Sequence, residues 1–422
     1  MLKALRGTKD ILPADAALWQ FIESSARDIF AIYDYKEIRT PVIEEASLFI
    51  RSIGNATDIV QKEMYVFSDR GERSIALRPE ATASIVRAYL ENSLGQEKAV
   101  TKLFYIGPMF RSERPQKGRQ RQFHQLGVEA IGSDNPLLDV EVISLAARIM
   151  QALGIKDFNL NINSLGCQKD KANIIEKRRK AVKPYLNSLC DECKERYNKN
   201  VLRIFDCKNA GCRKIAEGIE SDNLLCSDCA GHFEAVKKGL KVIGINFIVD
   251  PKIVRGLDYY TKTVFEVTQK DLGAKDAICA GGRYNSLIEE MGGKDTPAVG
   301  FAFGIERMIL SLEKDRHLIK PELDVFFAVT GEGMHEKAFQ LMNNLRDKGL
   351  SCDIDYNEKS LKAQMRMAEK LGARSVIIFG EDEIKREKVS LRDMLKREQK
   401  EVDLKDIVEE IKANSKKGAI SC

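Results

Sequence analysis

The 422-residue sequence has no apolar run approaching the ~18 residues that a membrane-spanning helix needs, so no membrane partner is expected. Its opening, MLKALRGTKDILP, lacks an apolar core and a cleavage-site pattern, which argues against a secretory signal and makes the cytoplasm the expected compartment. There is no GxxxxGK[ST] loop and no GxGxxG fingerprint. If the chain uses ATP, side chains must hold the phosphates. Strong charge of one sign is also missing: 68 Lys and Arg stand against 63 Asp and Glu, a net +5 that permits nucleic-acid binding without arguing for it. Histidine is scarce, at four residues, and no repeats are evident. What remains is ordinary soluble-protein composition, 44% apolar and 31% charged, in a chain long enough for two or three cored domains.

The order of elements favours an α+β fold. Leu18, Phe21, Ile22 and Ile29 at helical spacing predict a helix over 14–32. Strand-like runs follow at 36–43, 63–67 and 74–77, then a helix at about 80–92 entered through Pro79. Candidate strands 98–106 and 121–131 flank a basic loop. More strand character appears at 243–249, 263–268 and 276–280, and Val299–Phe303 runs through Gly304 into a helix over 305–314. Without strict βαβ alternation the sheet should be mostly antiparallel, with helices packed on it. Residues 165–240, rich in Lys and Cys, read as an insertion into a domain of about 1–320. From 323 the order becomes strand 324–329, helix 335–348, strand 351–355, helix 360–371, strands 374–379 and 387–391, helix 403–413. This predicts a second, small α/β domain over 323–422. That domain holds 19 basic and 19 acidic residues, so its charge gives no sign of RNA binding.

Three segments carry arginines suited to phosphate. Phe110-Arg111-Ser112-Glu113 leads out of a strand into the loop RSERPQKGRQR (111–121), whose five bases against one acid suit a polyanion. Gly304-Ile305-Glu306-Arg307 lies where a strand turns into a helix, near the positive end of the helix dipole. Arg255-Gly256-Leu257-Asp258-Tyr259-Tyr260 precedes a strand. Singly, each arginine is more often a surface or ion-pair residue than a ligand.

In order, these segments carry a resemblance. Arg111-Ser-Glu-Arg with RPQKGRQRQFHQLGVEAIG is similar to the second signature motif of class II aminoacyl-tRNA synthetases, and GFAFGIERM (300–308) to the third. RTPVIEEASLF (39–49) resembles the first, which lies at the dimer interface in that class. RGLDYYTKTVFEV (255–267), AGGRYNSLIEEMGG (280–293), RGTKDILP (6–13) and LRPEATA (77–83) are similar to segments of histidyl-tRNA synthetases. The resemblance runs from residue 6 through the second domain, and the Cys-rich insertion is its least typical part. It implies a homodimeric ligase that activates L-histidine with ATP and Mg²⁺ and transfers it to the 3′ end of tRNA-His.

The same resemblance implies roles. Arg111 and Arg255 would flank the α-phosphate and Arg307 would hold the γ-phosphate, with Glu113 and Glu306 orienting arginines or the adenine. Such chemistry needs positioning and charge neutralisation more than a general base, which agrees with few histidines and many arginines. Glu80 and Thr82, with Gln125, match positions that hold the α-amino group. Glu129 and Tyr260, with Tyr259 beside it, match those that read the imidazole ring. Ala81 stands where a glycine is more usual in that segment. His124 should face away from Gln125 and pack. In the basic loop, Arg114 and Gln116 are candidates for reading the extra guanosine at the tRNA 5′ end, while 323–422 resembles an anticodon-binding domain.

The insertion holds Cys190-x2-Cys193, Cys207, Cys212 and Cys226-x2-Cys229. Paired CxxC knuckles in a reducing compartment point to structural zinc. The expected ligands are Cys190, Cys193, Cys226 and Cys229, though Cys207 and Cys212 could replace one knuckle. Rival readings are a non-catalytic regulatory paralogue, a synthetase for another amino acid, and an RNA-binding protein reusing the fold. The intact arginines, the second domain and the segments RGLDYY and AGGRYNSLI weigh against them.

Overall fold

A computed structural model describes residues 2–55, 57–205, 207, 209–219, 225–253, 256–269, 277–312 and 323–416. They fall into two compact units, Met1–Arg316 and His317–Cys422.

The first unit is built on an eight-stranded sheet in the spatial order Lys36–Glu37, Thr101–Phe110, Gln122–Ile131, Ala298–Gly304, Ala277–Arg283, Thr261–Thr268, Asn159–Ser164, Ile248–Val249. Its centre is antiparallel, and only the two outermost pairs are parallel. The two ten-residue strands form a hairpin from Phe110↔Gln122 to Thr101↔Ile131, so the basic loop hangs from a rigid ladder. Helix Pro13–Ile32 buries Leu18, Ile22, Ala26 and Phe30, and Phe30 stacks on Phe104 of the sheet with ring centroids 4.6 Å apart.

Periodicity does not reveal the helix Pro136–Ala152. Asn135 caps it, accepting from Leu137 N at 2.9 Å, and Pro136 opens it. Val140, Ile143, Leu145, Ala147 and Ile149 are all buried, so only a narrow stripe of Glu141, Arg148 and Gln151 marks its solvent side within a long apolar run. Asn159–Ser164 is a further strand, with the alternating polar and apolar residues a half-buried strand carries. The expected strand 36–43 is instead two short ones in different sheets, Lys36–Glu37 and Ile43–Glu45, because Pro41 between them cannot donate to a ladder. Of 243–249 only Ile248–Val249 is strand, following the helix Ser227–Val242. The insertion is helical, over Gln168–Val182, Asp191–Lys199, Ala210–Glu217 and Ser227–Val242, and Val182, Leu189, Val201 and Ile204 pack with three cysteines into a small core of its own.

The second unit has a five-stranded sheet ordered Cys352–Ile354, Leu323–Val329, Ala373–Phe379, Lys388–Asp393, Glu398–Asp403, parallel over the first three strands. The expected helix 403–413 is present but starts later, as Ile407–Lys416, after an unexpected edge strand Glu398–Asp403 that is charged and buries only Val402.

Candidate active site

A cleft of about 630 Å³ opens over the sheet of the first unit. Its floor comes from the strands Gln122–Ile131 and Ala298–Gly304, paired Gln125↔Gly304 and Glu129↔Gly300. Glu80, Thr82, Arg111, Glu113, Gln125, Glu129, Tyr259, Tyr260, Glu306 and Arg307 all line it. Ala81 sits behind them in a buried cluster with Ile85, Tyr105 and Met109, where a small residue suits the packing. Arg114 and Gln116 lie exposed on the loop, outside the cleft, on a tight turn closed by mutual Gln116–Arg119 backbone hydrogen bonds of 3.1 and 2.9 Å. Arg255 lies outside the described residues.

At one end of the cleft stands Glu129, 1% exposed. Thr82 Oγ1 donates to its Oε1 at 2.7 Å and the Tyr284 hydroxyl donates to its Oε2. Burial drives its carboxyl up to about 8, against the pull of those two donors. Gly300 makes room for it: a Cβ there would lie 2.0 Å from Glu129 Oε2. Tyr259 packs on Tyr260 at 4.8 Å and edge-on to Tyr284 at 5.7 Å, closing an aromatic wall around the carboxyl. Glu80 has a more structural task than its motif suggests. Its two oxygens accept Thr82 N at 2.7 Å and Ala83 N at 2.9 Å, which fixes the start of the helix Thr82–Glu91 at the cleft wall. Gln125 Oε1 is buried without a hydrogen-bond partner among the described residues, an acceptor aimed at cleft contents.

The other end is cationic. Arg111 donates from Nε to Pro79 O at 2.9 Å and lies over Phe123, 5.1 Å from the ring centroid, which leaves its terminal nitrogens directed by packing. Arg307, on the first turn of Ile305–Leu312, donates to Ala277 O. Glu306 Oε1 and Oε2 accept His124 N at 2.9 and 3.0 Å, and His124 Nδ1 lies 3.1 Å from the same carboxylate with its ring edge-on to Trp19 at 4.8 Å. Glu113 pairs with Arg119 at 2.7 Å. Burial raises the Glu63 carboxyl, Arg111 opposes that, and the Glu113 charge adds to it.

Sequence reasoning missed Tyr284, Tyr105 and Glu63, all of which line the cleft. Tyr284 was within reach, since it directly follows Arg283 in AGGRYNSLI.

The cysteines do not group as their spacing suggests. Cys190 and Cys193 come together with Cys207 and Cys212, all four sulfurs within 4.8 Å, while Cys226 and Cys229 stand in a separate group. The expected set of Cys190, Cys193, Cys226 and Cys229 is therefore corrected. Each CxxC occupies the first turn of its own helix, and the intervening helix Ala210–Glu217 carries Cys212 to the first pair. Cys190 N donates to Cys212 Sγ at 3.2 Å. The separation of Cys190 and Cys207 sulfurs, 3.8 Å, matches the edge of a zinc–thiolate tetrahedron with bonds of about 2.3 Å.

Comparisons with known proteins agree with this geometry. Residues 7–308 match the family model described as histidyl-tRNA synthetase, and 324–414 match the anticodon binding domain. A histidine–tRNA ligase of Halothermothrix orenii is 49% identical over 97% of this chain and 99% of its own length, and one from Desulforamulus reducens is 48% identical over the same shares. The structure of apo S. aureus histidyl-tRNA synthetase superposes with a TM-score of 0.79 at 37% identity, over 98% of this chain and 100% of that one. With the cleft, the signature segments and full-length relatives in agreement, the chain belongs to the histidyl-tRNA synthetase family.

Proposed function

We propose that the cleft joins L-histidine to ATP as histidyl-adenylate and then passes the histidyl group to the 3′ end of tRNA-His, as an aminoacyl-tRNA ligase serving protein synthesis. The observation that carries this reading is one cleft with a buried hydrogen-bonding carboxyl at one end and Arg111 and Arg307 at the other. In the first step a histidine carboxylate oxygen attacks the α-phosphorus and pyrophosphate departs. Arg111, with Arg255, would neutralise charge at the α-phosphate, and Arg307 would hold the γ-phosphate, each by charge-assisted hydrogen bonds. In the second, a terminal ribose hydroxyl attacks the adenylate carbonyl and AMP leaves.

Glu129 would read the imidazole, with Tyr259 and Tyr260 walling the ring. Its carboxyl, poised at about 8, shares a proton readily with a ring nitrogen. Gln125 Oε1 offers an unpaired acceptor to the α-amino group, beside Thr82 and Glu80. Glu306, held by His124, and Glu113, held by Arg119, support the nucleotide site as positioning groups rather than bases. Mg²⁺, when bound, would neutralise phosphate oxygens, and Glu63, whose carboxyl burial and the Glu113 charge push up, would be a carboxylate beside it.

Arg114 and Gln116, exposed on the basic loop, would meet the tRNA acceptor end, and the second unit would take the anticodon. A homodimer is supported by Ile43 and Phe67, exposed apolar residues on one face of the small sheet formed by Ile43–Glu45, Tyr65–Ser68 and Ser74–Leu77. Cys190, Cys193, Cys207 and Cys212 would hold a structural Zn²⁺, four thiolates leaving no open position for catalysis. The cytoplasm, where thiols stay reduced, is the compartment this chemistry suits.

Charging of a tRNA-His transcript with labelled histidine tests the function. Wild type should accumulate histidyl-tRNA, and Arg111→Ala should lose about 10²-fold or more in rate. Full activity in that variant contradicts the assignment of Arg111. No charging by the folded wild-type protein contradicts the function and favours a non-catalytic regulatory relative.

A further inference from the structure

We infer that the chain binds a second thiophilic divalent cation, of the Zn²⁺ class, through Cys167, Asp170, Cys226 and Cys229, at the seam between the insertion and the catalytic sheet. The four ligand atoms lie within 4.8 Å of one another. A tetrahedron of zinc ligands has edges of about 3.8 Å for sulfur and less for oxygen, so the group needs to contract by about an ångström at most.

The local sequence logic repeats that of the first cluster. Cys226 is the N-cap of the helix Ser227–Val242 and Cys229 its third residue, and Cys190 and Cys193 hold the same two positions on Asp191–Lys199. Cys167 and Asp170 hold them on Gln168–Val182. A spacing of three on a first helical turn puts both side chains on one side of the helix start. Cys167-x2-Asp170 is thus a knuckle with a carboxylate in place of the second thiol. Two such knuckles, from two helices, face each other and supply three sulfurs and an oxygen.

Capping accounts for part of this, since Cys167 and Asp170 form a capping box on Gln168–Val182, but it calls neither for the buried Cys229 nor for a second cysteine at the N-cap of Ser227–Val242. Other helices of the unit begin on the stronger caps Asn135 and Asn209, whose side chains accept backbone N–H groups at 2.9 Å. Asp170 is 3% exposed and Cys229 2%. Asp170 Oδ2 accepts Cys167 N at 3.3 Å and Oδ1 accepts Cys226 N at 3.1 Å, so one carboxylate ties both helix starts together. Three thiolates and a carboxylate around a dication leave two net negative charges, which the positive ends of two helices offset. Gly166 keeps the space: it sits at φ +69°, and a Cβ there would lie 2.4 Å from Asp170 Cβ.

The position gives the centre a consequence. Leu165 N donates to Lys262 O and Lys262 N to Gly166 O, both at 2.8 Å. Lys171, next to Asp170, donates from Nζ to Asp258 O at 2.6 Å. These bonds bracket Tyr259 and Tyr260, so the cation would brace the aromatic wall of the cleft. On the functional reading above, its loss raises KM for histidine and leaves KM for ATP unchanged.

The test is the metal content of the full-length protein purified with Zn²⁺, with X-ray absorption to count ligands. Wild type should hold two zinc ions per chain, and both Cys226→Ser, at the exposed rim, and Cys207→Ser, in the first cluster, should each hold one. The average zinc in wild type should have about 3.5 sulfur neighbours, from one four-sulfur and one three-sulfur site. That average needs no variant and stands if either variant fails to fold. One zinc in wild type with four sulfurs, or two zincs in Cys226→Ser, would overturn the second centre. Metal counting is independent of catalysis, so two zincs in a protein unable to charge tRNA would sustain the centre and sink only the functional reading.

Discussion

Arg283 and Asp139 form an ion pair with both side chains 0% exposed, Arg283 Nη2 lying 2.6 Å and Nε 2.8 Å from Asp139 Oδ2. The guanidinium is completed by Ser133 O at 2.9 Å and Asn135 O at 3.0 Å, so it binds the strand Ala277–Arg283 to the start of the helix Pro136–Ala152. Tyr284, the next residue, is thereby aimed at Glu129. Removing one partner of a buried pair strands the other charge, at a cost of about 3–5 kcal/mol. Arg283→Met should therefore lower the thermal midpoint of the catalytic unit sharply, as circular dichroism would record. An unchanged midpoint would mean that the pair is dispensable.

Glu129 makes stability depend on pH. Its ordinary value of 4.5 becomes about 8 in the fold, chiefly through burial. Between those values the folded chain keeps a proton that the unfolded chain has released, so the group's contribution is complete below 4.5 and is lost as pH rises through about 8. Urea midpoints measured from pH 5 to 8.5 should fall for wild type and fall less for Glu129→Gln. Parallel curves for the two proteins would contradict the buried, protonated carboxyl.

How much of this was legible in the sequence depends on the range of the signal. The cleft-lining residues sit in contiguous segments whose order is readable, and Arg111, Glu129, Tyr260 and Arg307 from four of them line one cleft. Arg283 lies in such a segment yet works as a structural tie, because a motif does not say which of its residues face the ligand. The helix Pro136–Ala152 escaped since its solvent side is only the narrow stripe of Glu141, Arg148 and Gln151, and Glu398–Asp403 escaped since an exposed edge strand has almost no apolar face. Cysteine spacing identified the pairs but not how they combine. That choice depends on how helices fold back, and it brought in Cys167 and Asp170, which no CxxC pattern contains.

Gly300→Ala probes the fit of sheet to pocket. The added methyl would meet Glu129 Oε2 at 2.0 Å and Val128 O at 2.4 Å, one of them immobile backbone. Overpacking of this kind costs about 1–3 kcal/mol and should displace Glu129. Histidine binding, followed by calorimetry, should weaken at least tenfold while ATP binding persists. Equal loss of both would indicate general collapse of the cleft.

The proposed dimer makes Phe67→Glu informative. Phe67 is exposed on the small sheet, and a charge there should oppose burial against a second copy. Sedimentation should show a dimer for wild type and a shift toward monomer for the variant. A monomeric wild type would remove the dimer from the account.

The most direct measurement is exchange of labelled pyrophosphate into ATP with each amino acid supplied singly, for wild type and Glu129→Gln. The account predicts exchange with histidine alone in wild type, and a rise in KM for histidine with KM for ATP unchanged in the variant. Exchange driven by another amino acid, or a Glu129→Gln variant indistinguishable from wild type, would contradict the claim that this buried carboxyl selects histidine.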